Sequence, residues 1–357
     1  MDFCFTDDQL AFRDSLSRLL MIEAAPETLR EIWQTDEGRS PSLRAKIAAQ
    51  GLTGLSVPEA EGGMGLGDVD WVLLLQELGY YAIPDSLSDT ACVAAAMLAG
   101  LPEGHRLRRA WLPRIVDGGC RIAVGHPVNP WVADAHLADL LLLPHPTPDG
   151  LELHALRREQ VHVEPQASID SSRRLAQVRW EPGDATRVLD AAAAQPLWEQ
   201  ALERGALGAA GQLVGLAQRM LDLAVDHAAQ RKQFGKPIGS FQAVKHHLAD
   251  VVTKIEFARP VLYRAVVALD QGERQTALRV SHAKLACADA AWTAARKSIQ
   301  VHGAMGYTWE VDLQMFMKRA WVLDAAWGDR AFHRARLADA LLCEDAPLGT
   351  AATFPDQ

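Results

Sequence analysis

From Ala191 to about Leu342 apolar residues recur at helical spacing almost without interruption, and three glycines divide the run. Gly235, Gly272 and Gly306 mark the breaks, which predicts four long helices over 196–230, 240–271, 274–303 and 311–342. Each carries an apolar stripe, and stripes of this length are buried best against one another. This half of the chain is therefore expected to form a long helical bundle. Two of its breaks hold unusual chemistry: Arg231-Lys-Gln-Phe-Gly-Lys-Pro-Ile-Gly-Ser-Phe-Gln242, and Gln300-Val-His-Gly-Ala-Met-Gly-Tyr-Thr308.

The rest of the chain differs in pattern. Residues 6 to about 118 read as mostly helical, with Thr6 as the first N-cap and Leu10, Phe12, Leu16, Leu19 and Leu20 at helical spacing. A second helix is predicted over Ser42–Gln50 and a third over Asp68–Gly79, with a glycine-rich loop, 51–67, between them. The glycines of that loop do not match the dinucleotide-binding spacing, and no strand precedes them. The apolar run Ala91–Leu101 reads as a buried helix. Between about 119 and 186 short apolar runs alternate with prolines and the Asp149-Gly150 pair, which predicts a small antiparallel β domain.

Composition excludes several classes. The chain has 357 residues, 49% hydrophobic and 23% charged, enough for two or three domains. A net charge of -9 argues against a nucleic-acid surface. The five cysteines are scattered, with no Cys-x-x-Cys pair, as in a reduced cytoplasmic protein without a zinc site. His246 and His247 are adjacent, so they point to different faces and make a poor metal pair. No basic leader is seen at the N-terminus, and no apolar run reaches the roughly 18 residues of a membrane span.

The two unusual breaks suit a nucleotide. An arginine fork matches a pyrophosphate. Phe234 offers a ring to a flat heterocycle, and Gly303 lets backbone come close to it. Local geometry alone would also fit a basic helix end, a turn over 235–239 and a new helix capped by Ser240. Order and spacing add more. Gly215-Leu-Ala-Gln-Arg219, then Arg231-Lys-Gln-Phe-Gly235, then Gln242, then Gln300-x-x-Gly303 resemble the flavin-adenine dinucleotide (FAD) signature of the acyl-CoA dehydrogenase family. The likeness runs along nearly the whole chain. It implies a mainly α fold: an N-terminal helical domain (1–118), a reduced β domain (119–186) and a C-terminal four-helix bundle (187–344). A tail over 345–357 is expected to be disordered. The resemblance also implies that Arg231, Gln233, Phe234, Gln242, Gln300, Val301, His302, Gly303 and Ala304 hold the adenosine diphosphate arm of a FAD whose ring lies mainly on a neighbouring subunit. The family usually has a second glycine where Ala304 stands. For His302 a structural role, stacking against the next helix, is the stronger expectation over one pointing at the adenosine.

Two departures are larger. The family removes a Cα proton with a glutamate while a hydride leaves Cβ, and that glutamate sits at one of two places. Aligned through Met317-Lys-Arg-Ala320, one place falls on Trp327; counted back from Gly215, the other falls on Gly205. Neither is acidic. Glu203 faces away from the Gly205 side of a helix, and Asp324 and Asp329 are expected to be solvated or paired. A ring at Trp327 could plug a pocket or line a wide one. The small residues Gly205, Ala206 and Gly208 suit either a bulky substrate or close helix packing. The stretches that hold the flavin ring in the family, of Thr-Glu-Pro and Trp-Ile-Thr type, are missing, with His126-Pro-Val-Asn-Pro130 near the place of the first. The chain thus resembles the shortened subunit of heterotetrameric, steroid-type acyl-CoA dehydrogenases. Its expected partners are a complete homologue, an acyl-CoA and an electron-transferring flavoprotein. A homotetramer with an unrecognised base, Glu203 or Asp329, and an inactive scaffold remain as alternatives.

Overall fold

Thr6 opens the first helix by a reciprocal cap. Its hydroxyl accepts from the Gln9 N–H while the Gln9 side chain accepts from the Thr6 N–H. The computed structural model describes residues 4–343 and is mainly α with a small β region. The expected disordered tail lies outside the described residues. After α1 (Asp7–Glu23) comes α2 (Pro26–Gln34), which the apolar spacing did not reveal; a proline at its first position starts it. Ser40 caps α3 (Pro41–Ala49), so this helix begins slightly before its predicted start. The loop 51–67 leads to α4 (Asp68–Tyr80). The apolar run then forms one wide π-helical segment, Asp89–Ala94, which continues into α5 (Ala95–Ala99), and α6 (Arg106–Val116) follows.

The β region is two small sheets. β1 (Ile122–Val124), β3 (Leu140–Thr147), β4 (Gly150–Leu156) and β7 (Arg187–Leu189) form one, in the order β1-β3-β4-β7. β2 (Val132–Ala133), β6 (Leu175–Arg179) and β5 (His162–Gln166) form the other. The prediction of an antiparallel domain fails at one pair. β1 and β3 run parallel, Ile122 opposite Leu140, because the chain between them crosses to the second sheet through β2. The run Leu140–Leu143 is buried on both faces. Leu141 and Leu143 meet Ala123, Leu156 and Val161 within the β region, while Leu140 and Leu142 join the main helical core.

The C-terminal half is a bundle of α7 (Ala191–Gln230), α8 (Gln242–Asp270), α9 (Thr276–His302), α10 (Leu313–Ala325) and α11 (Arg330–Leu341). Three of the four predicted helices stand within a few residues of their expected limits. The fourth is two helices. Trp327 at φ 56° and Gly328 at φ 93° break it, and Asp329 caps α11 by accepting from the Phe332 N–H. The turn is held from outside: the buried Lys284 ammonium donates to the carbonyls of Asp324, Ala326 and Gly328 at 2.8, 2.9 and 3.1 Å. No sequence period shows such a clamp.

α7 crosses α4 at backbone contact. A Cβ on Gly215 would lie 1.9 Å from the Gln76 carbonyl oxygen. Gly215→Ala should therefore destabilise the fold by about 1–3 kcal/mol, the usual cost of overpacking. The gain of about 1 kcal/mol in helix propensity only partly offsets this. A lower midpoint in thermal denaturation is the expected result.

Candidate functional site

Four elements bring the two unusual breaks together. The end of α7, the loop after it, the start of α8 and the end of α9 meet on a small apolar cluster of Ala224, Ala228 and Val301, packed by Ile238 and Val244. The loop is a tight hairpin of β8 (Lys232–Gln233) and β9 (Lys236–Pro237). It closes where the Ile238 N–H donates to the Arg231 carbonyl at 2.8 Å. Ser240 does not cap α8; its hydroxyl donates to the Pro237 carbonyl at 2.7 Å.

The side chains around this cluster are left available. The Arg231 guanidinium has no hydrogen bond or ion pair among the described residues. Phe234 is 91% exposed, with a left-handed backbone at φ 54°. Gln233, Gln242, Gln300 and Ala304 are exposed. Val301 turns inward, as the cluster requires. His302 stacks on His227 of α7, not on the next helix, ring centroids 4.2 Å apart, and its Nδ1–H donates to the Ser298 carbonyl at 2.8 Å. Burial holds both imidazoles below their ordinary pKa, so the stack is neutral at pH 7. Gly303, at φ 67° and ψ -146°, adopts a conformation reserved for glycine, and nothing lies within 4 Å of where a Cβ would be. An unpaired cation, a ring left in solvent and an open glycine turn fit the pyrophosphate and adenosine of a nucleotide.

The two expected base positions occupy one space. A Cβ on Gly205 would lie 2.0 Å from the Trp327 ring. The indole is 3% exposed and lies directly against α7, so Gly205 serves close packing here rather than a wide pocket. Every polar group of Trp327 is used. Its N–H donates to Asn129 Oδ1 at 2.7 Å, its Nε1–H donates to Asp89 Oδ1 at 3.2 Å, and its carbonyl accepts from His333 Nε2 at 3.0 Å. His126 lies 5.8 Å from this ring and 5.9 Å from that of Trp198. Within the stretch 126–130, His126 and Asn129 thus meet Trp327, while Pro127 and Pro130 are exposed.

The candidate carboxylates are committed elsewhere. Glu203 faces α11 and accepts from Arg336 Nη2 at 2.5 Å; burial raises its pKa, opposed by Arg336. Asp324 pairs with Arg330 at 2.8 Å, and Asp329 caps α11. Sequence reasoning missed Asp89. It opens an alanine-rich run, where a lone acid reads as a surface cap. The wide π turn instead carries it inward beneath the indole. Burial raises its pKa, opposed by the charge of Arg173 and the Trp327 hydrogen bond.

Comparison with known proteins places this geometry. Residues 6–119 match the acyl-CoA dehydrogenase N-terminal domain, and residues 196–342 match its C-terminal domain. Acyl-CoA dehydrogenase IpdE2 of Mycobacterium tuberculosis is 31% identical over 320 residues, covering 88% of this chain and 91% of that protein. The chain belongs to the acyl-CoA dehydrogenase family. Among solved structures, the ChsE4-ChsE5 complex from Mycobacterium tuberculosis superposes with a TM-score of 0.86 at 22% identity, covering 98% of this chain and all of that one. The Tcur3481-Tcur3483 steroid ACAD gives 0.83 at 24% identity over 93% and 97% of the two chains. Butyryl-CoA dehydrogenase from Megasphaera elsdenii gives 0.84 at 21% identity over 96% and 100%. These structures share the fold. Acyl-CoA dehydrogenases are oxidoreductases whose cofactor is FAD. No helix among the described residues is long and apolar enough to cross a membrane, and no cluster among them could hold a metal.

The Trp327 turn imposes a pH dependence. Burial, and next the charge of Lys284, push the pKa of His333 from 6.5 down to about 4. Its ring is fully buried between Ser281 and the Trp327 carbonyl. The unfolded chain takes up this proton near 6.5 and the folded chain only near 4. The stabilisation is thus complete above pH 6.5 and lost as pH falls towards 4, by at most about 3 kcal/mol. Denaturant midpoints between pH 7 and 4 should fall less steeply in His333→Gln than in the unaltered chain.

Proposed function

We propose that this acyl-CoA dehydrogenase is the subunit of a heteromer that holds the arm of FAD, while a complete homologue supplies the base and the flavin-ring site. One observation carries the reading: the Trp327 indole, packed on Gly205, fills the space where either family glutamate would stand. A carboxylate is needed there because a Cα proton is weakly acidic and its base must be aimed and desolvated. The engagement of His126 and Asn129 with Trp327 further supports a flavin ring seated on the partner. Two structures of similar fold carry names that fit: ChsE4-ChsE5 is described as a complex, and Tcur3481-Tcur3483 as a steroid ACAD.

Each residue of the arm site then has a task. Arg231 pairs with the pyrophosphate, Phe234 lies against the adenosine, and Gln233 and Gln242 donate to its polar edges. The turn 300–304 brings the open backbone of Gly303 to the same arm, with Val301 anchoring it from below. When bound, FAD accepts the hydride that leaves Cβ of the acyl group. The substrate is a bulky CoA ester of steroid side-chain type, and an electron-transferring flavoprotein reoxidises the flavin in the cytoplasm.

Co-expressed with a complete homologue, the chain should enter a tetramer carrying half as many FAD as subunits. In that complex Glu203→Gln, Asp324→Asn and Asp329→Asn should each leave acyl-CoA-dependent flavin bleaching within a few-fold of the unaltered enzyme. Replacing the partner's glutamate should abolish it. A loss of about a hundredfold from any of the three, with assembly and FAD intact, would mean that this chain supplies its own base. A stoichiometric yellow homotetramer would equally overturn the reading.

The arm assignment is tested separately. Charge-assisted hydrogen bonds contribute about 1.5–3 kcal/mol. Arg231→Ala should thus weaken FAD retention by about tenfold or more on dilution, read by flavin fluorescence. Arg231→Lys should recover only part, because the planar fork is lost.

A further inference from the structure

The arm site stands on the ends of two helices, and a ring stack ties those ends together. His227 lies one turn before Arg231, whose N–H donates to the His227 carbonyl at 2.8 Å where α7 ends. His302 is the last residue of α9 and directly precedes Gly303. The two imidazoles are nearly parallel, 23° between their planes, with centroids 4.2 Å apart. Each ring is thus one step along its helix from a group assigned to the nucleotide. His302 is oriented by its own helix through the Ser298 carbonyl. The turn folds back on it: a Cβ on Gly306 would lie 3.1 Å from the His302 Cβ. The His227 ring makes no hydrogen bond among the described residues, so stacking is what engages it.

Next to the stack, α7 and α9 meet through small groups. Ala224 and Ala228 touch Val301, and further down both helices the Ser298 hydroxyl donates to the Met220 carbonyl at 2.9 Å. The imidazole pair is the largest of these contacts and the nearest to Gly303. It is also sensitive to charge. Burial comes first in holding both rings below the ordinary pKa of 6.5. The charges that act on His227 are those of His302 from α9 and Arg231 from α7, and both repel an imidazolium. Among the described residues no charge from α8, the hairpin or the turn after Gly303 acts on either ring. The neutral stack is therefore complete above pH 6.5 and weakens as pH falls below it, since each proton taken up must enter a buried pair beside a cation.

We propose that His227 is a positioning residue for the cofactor: by stacking on His302 it sets the gap between Arg231 and the Gly303 turn in which the arm of FAD lies. The inference rests on the proposed function, which puts the arm in this site. The test uses the complex co-expressed with a complete homologue and reads FAD retention on dilution by flavin fluorescence. At about pH 8, His227→Ala should weaken retention by about three- to tenfold, the worth of an aromatic pair. His227→Phe keeps a ring without a proton site and should match the unaltered complex. Between about pH 8 and pH 5 the unaltered complex should lose retention by a similar factor with its assembly intact, whereas His227→Phe should stay level. A histidine that served folding alone would shift the denaturation midpoint and leave no such difference between the two pH profiles. Full retention in His227→Ala, failure of phenylalanine to restore it, or a flat pH profile in the unaltered complex would each overturn the proposal. Retention that rises with acid would put an imidazolium on the pyrophosphate and overturn the positioning role as well. The pH profile needs no variant, so it decides even if His227→Ala fails to assemble. If Arg231→Ala leaves retention unchanged, the arm assignment itself fails. If Arg231→Ala releases FAD and His227→Ala does not, the positioning role fails alone.

Discussion

The architecture depends on the backbone contact between α4 and α7. Gly79 and Gly215 let the two helices approach until a Cβ on either would meet main-chain atoms, at 2.1 Å from Gln212 and 1.9 Å from Gln76. That contact fuses the N-terminal helices to the bundle in one continuous core. Leu213, Leu216, Ala217 and Met220 of α7 share it with Trp71 and Leu74 of α4 and with Val251, Leu262 and Cys287 of α8 and α9. Because α7 is continuous from Ala191 to Gln230, it holds two sites in fixed relation. Gly205 lies beneath Trp327 along its length, and Arg231 follows its C-terminal end.

The Trp327 turn shows how burial can be used against ordinary preference. A left-handed tryptophan is unfavourable by itself. Here the Lys284 ammonium, nearly lost to solvent and with its pKa pushed by burial down to about 8, spends three donors on the carbonyls of that turn. His333 and Asn129 take up two further backbone groups. These contacts hold four carbonyls and one N–H of the turn, so the indole can be pressed against Gly205 of α7.

A second buried network ties the β region to the helices. Arg39 donates its Nε–H to Asp134 at 2.9 Å, and the Ser86 hydroxyl donates to the same carboxylate at 2.6 Å. Burial alone would raise the pKa of Asp134; the Arg39 guanidinium and the Ser86 donors overcome it and hold the acid at about 2. Arg319 of α10 donates to the Ile83 carbonyl and the Ser172 hydroxyl. Removing one member of such a network leaves a charge uncompensated, and for that reason the β region cannot drift from α10. Arg173 lies beside this network without joining its hydrogen bonds.

What the sequence determined by itself was local or periodic. Helical spacing located α1, α4 and α7–α9 to within a few residues, since an apolar stripe and a capping residue are written in neighbouring positions. The Arg231 and Gln300 segments were legible because their order and spacing match a family signature, and Trp327 and Gly205 because counting from that signature lands on them. The tertiary structure decided what depends on residues far apart. It split the last helix through Lys284, forty residues away and more from the carbonyls it holds. It made β1 and β3 parallel through a crossover. It brought Asp89 under the indole and joined Gly205 to Trp327 in one filled space. A side chain's partner is a three-dimensional fact, and no period or spacing along the chain encodes which distant donor will meet a buried carbonyl or which cation will be left without an acceptor.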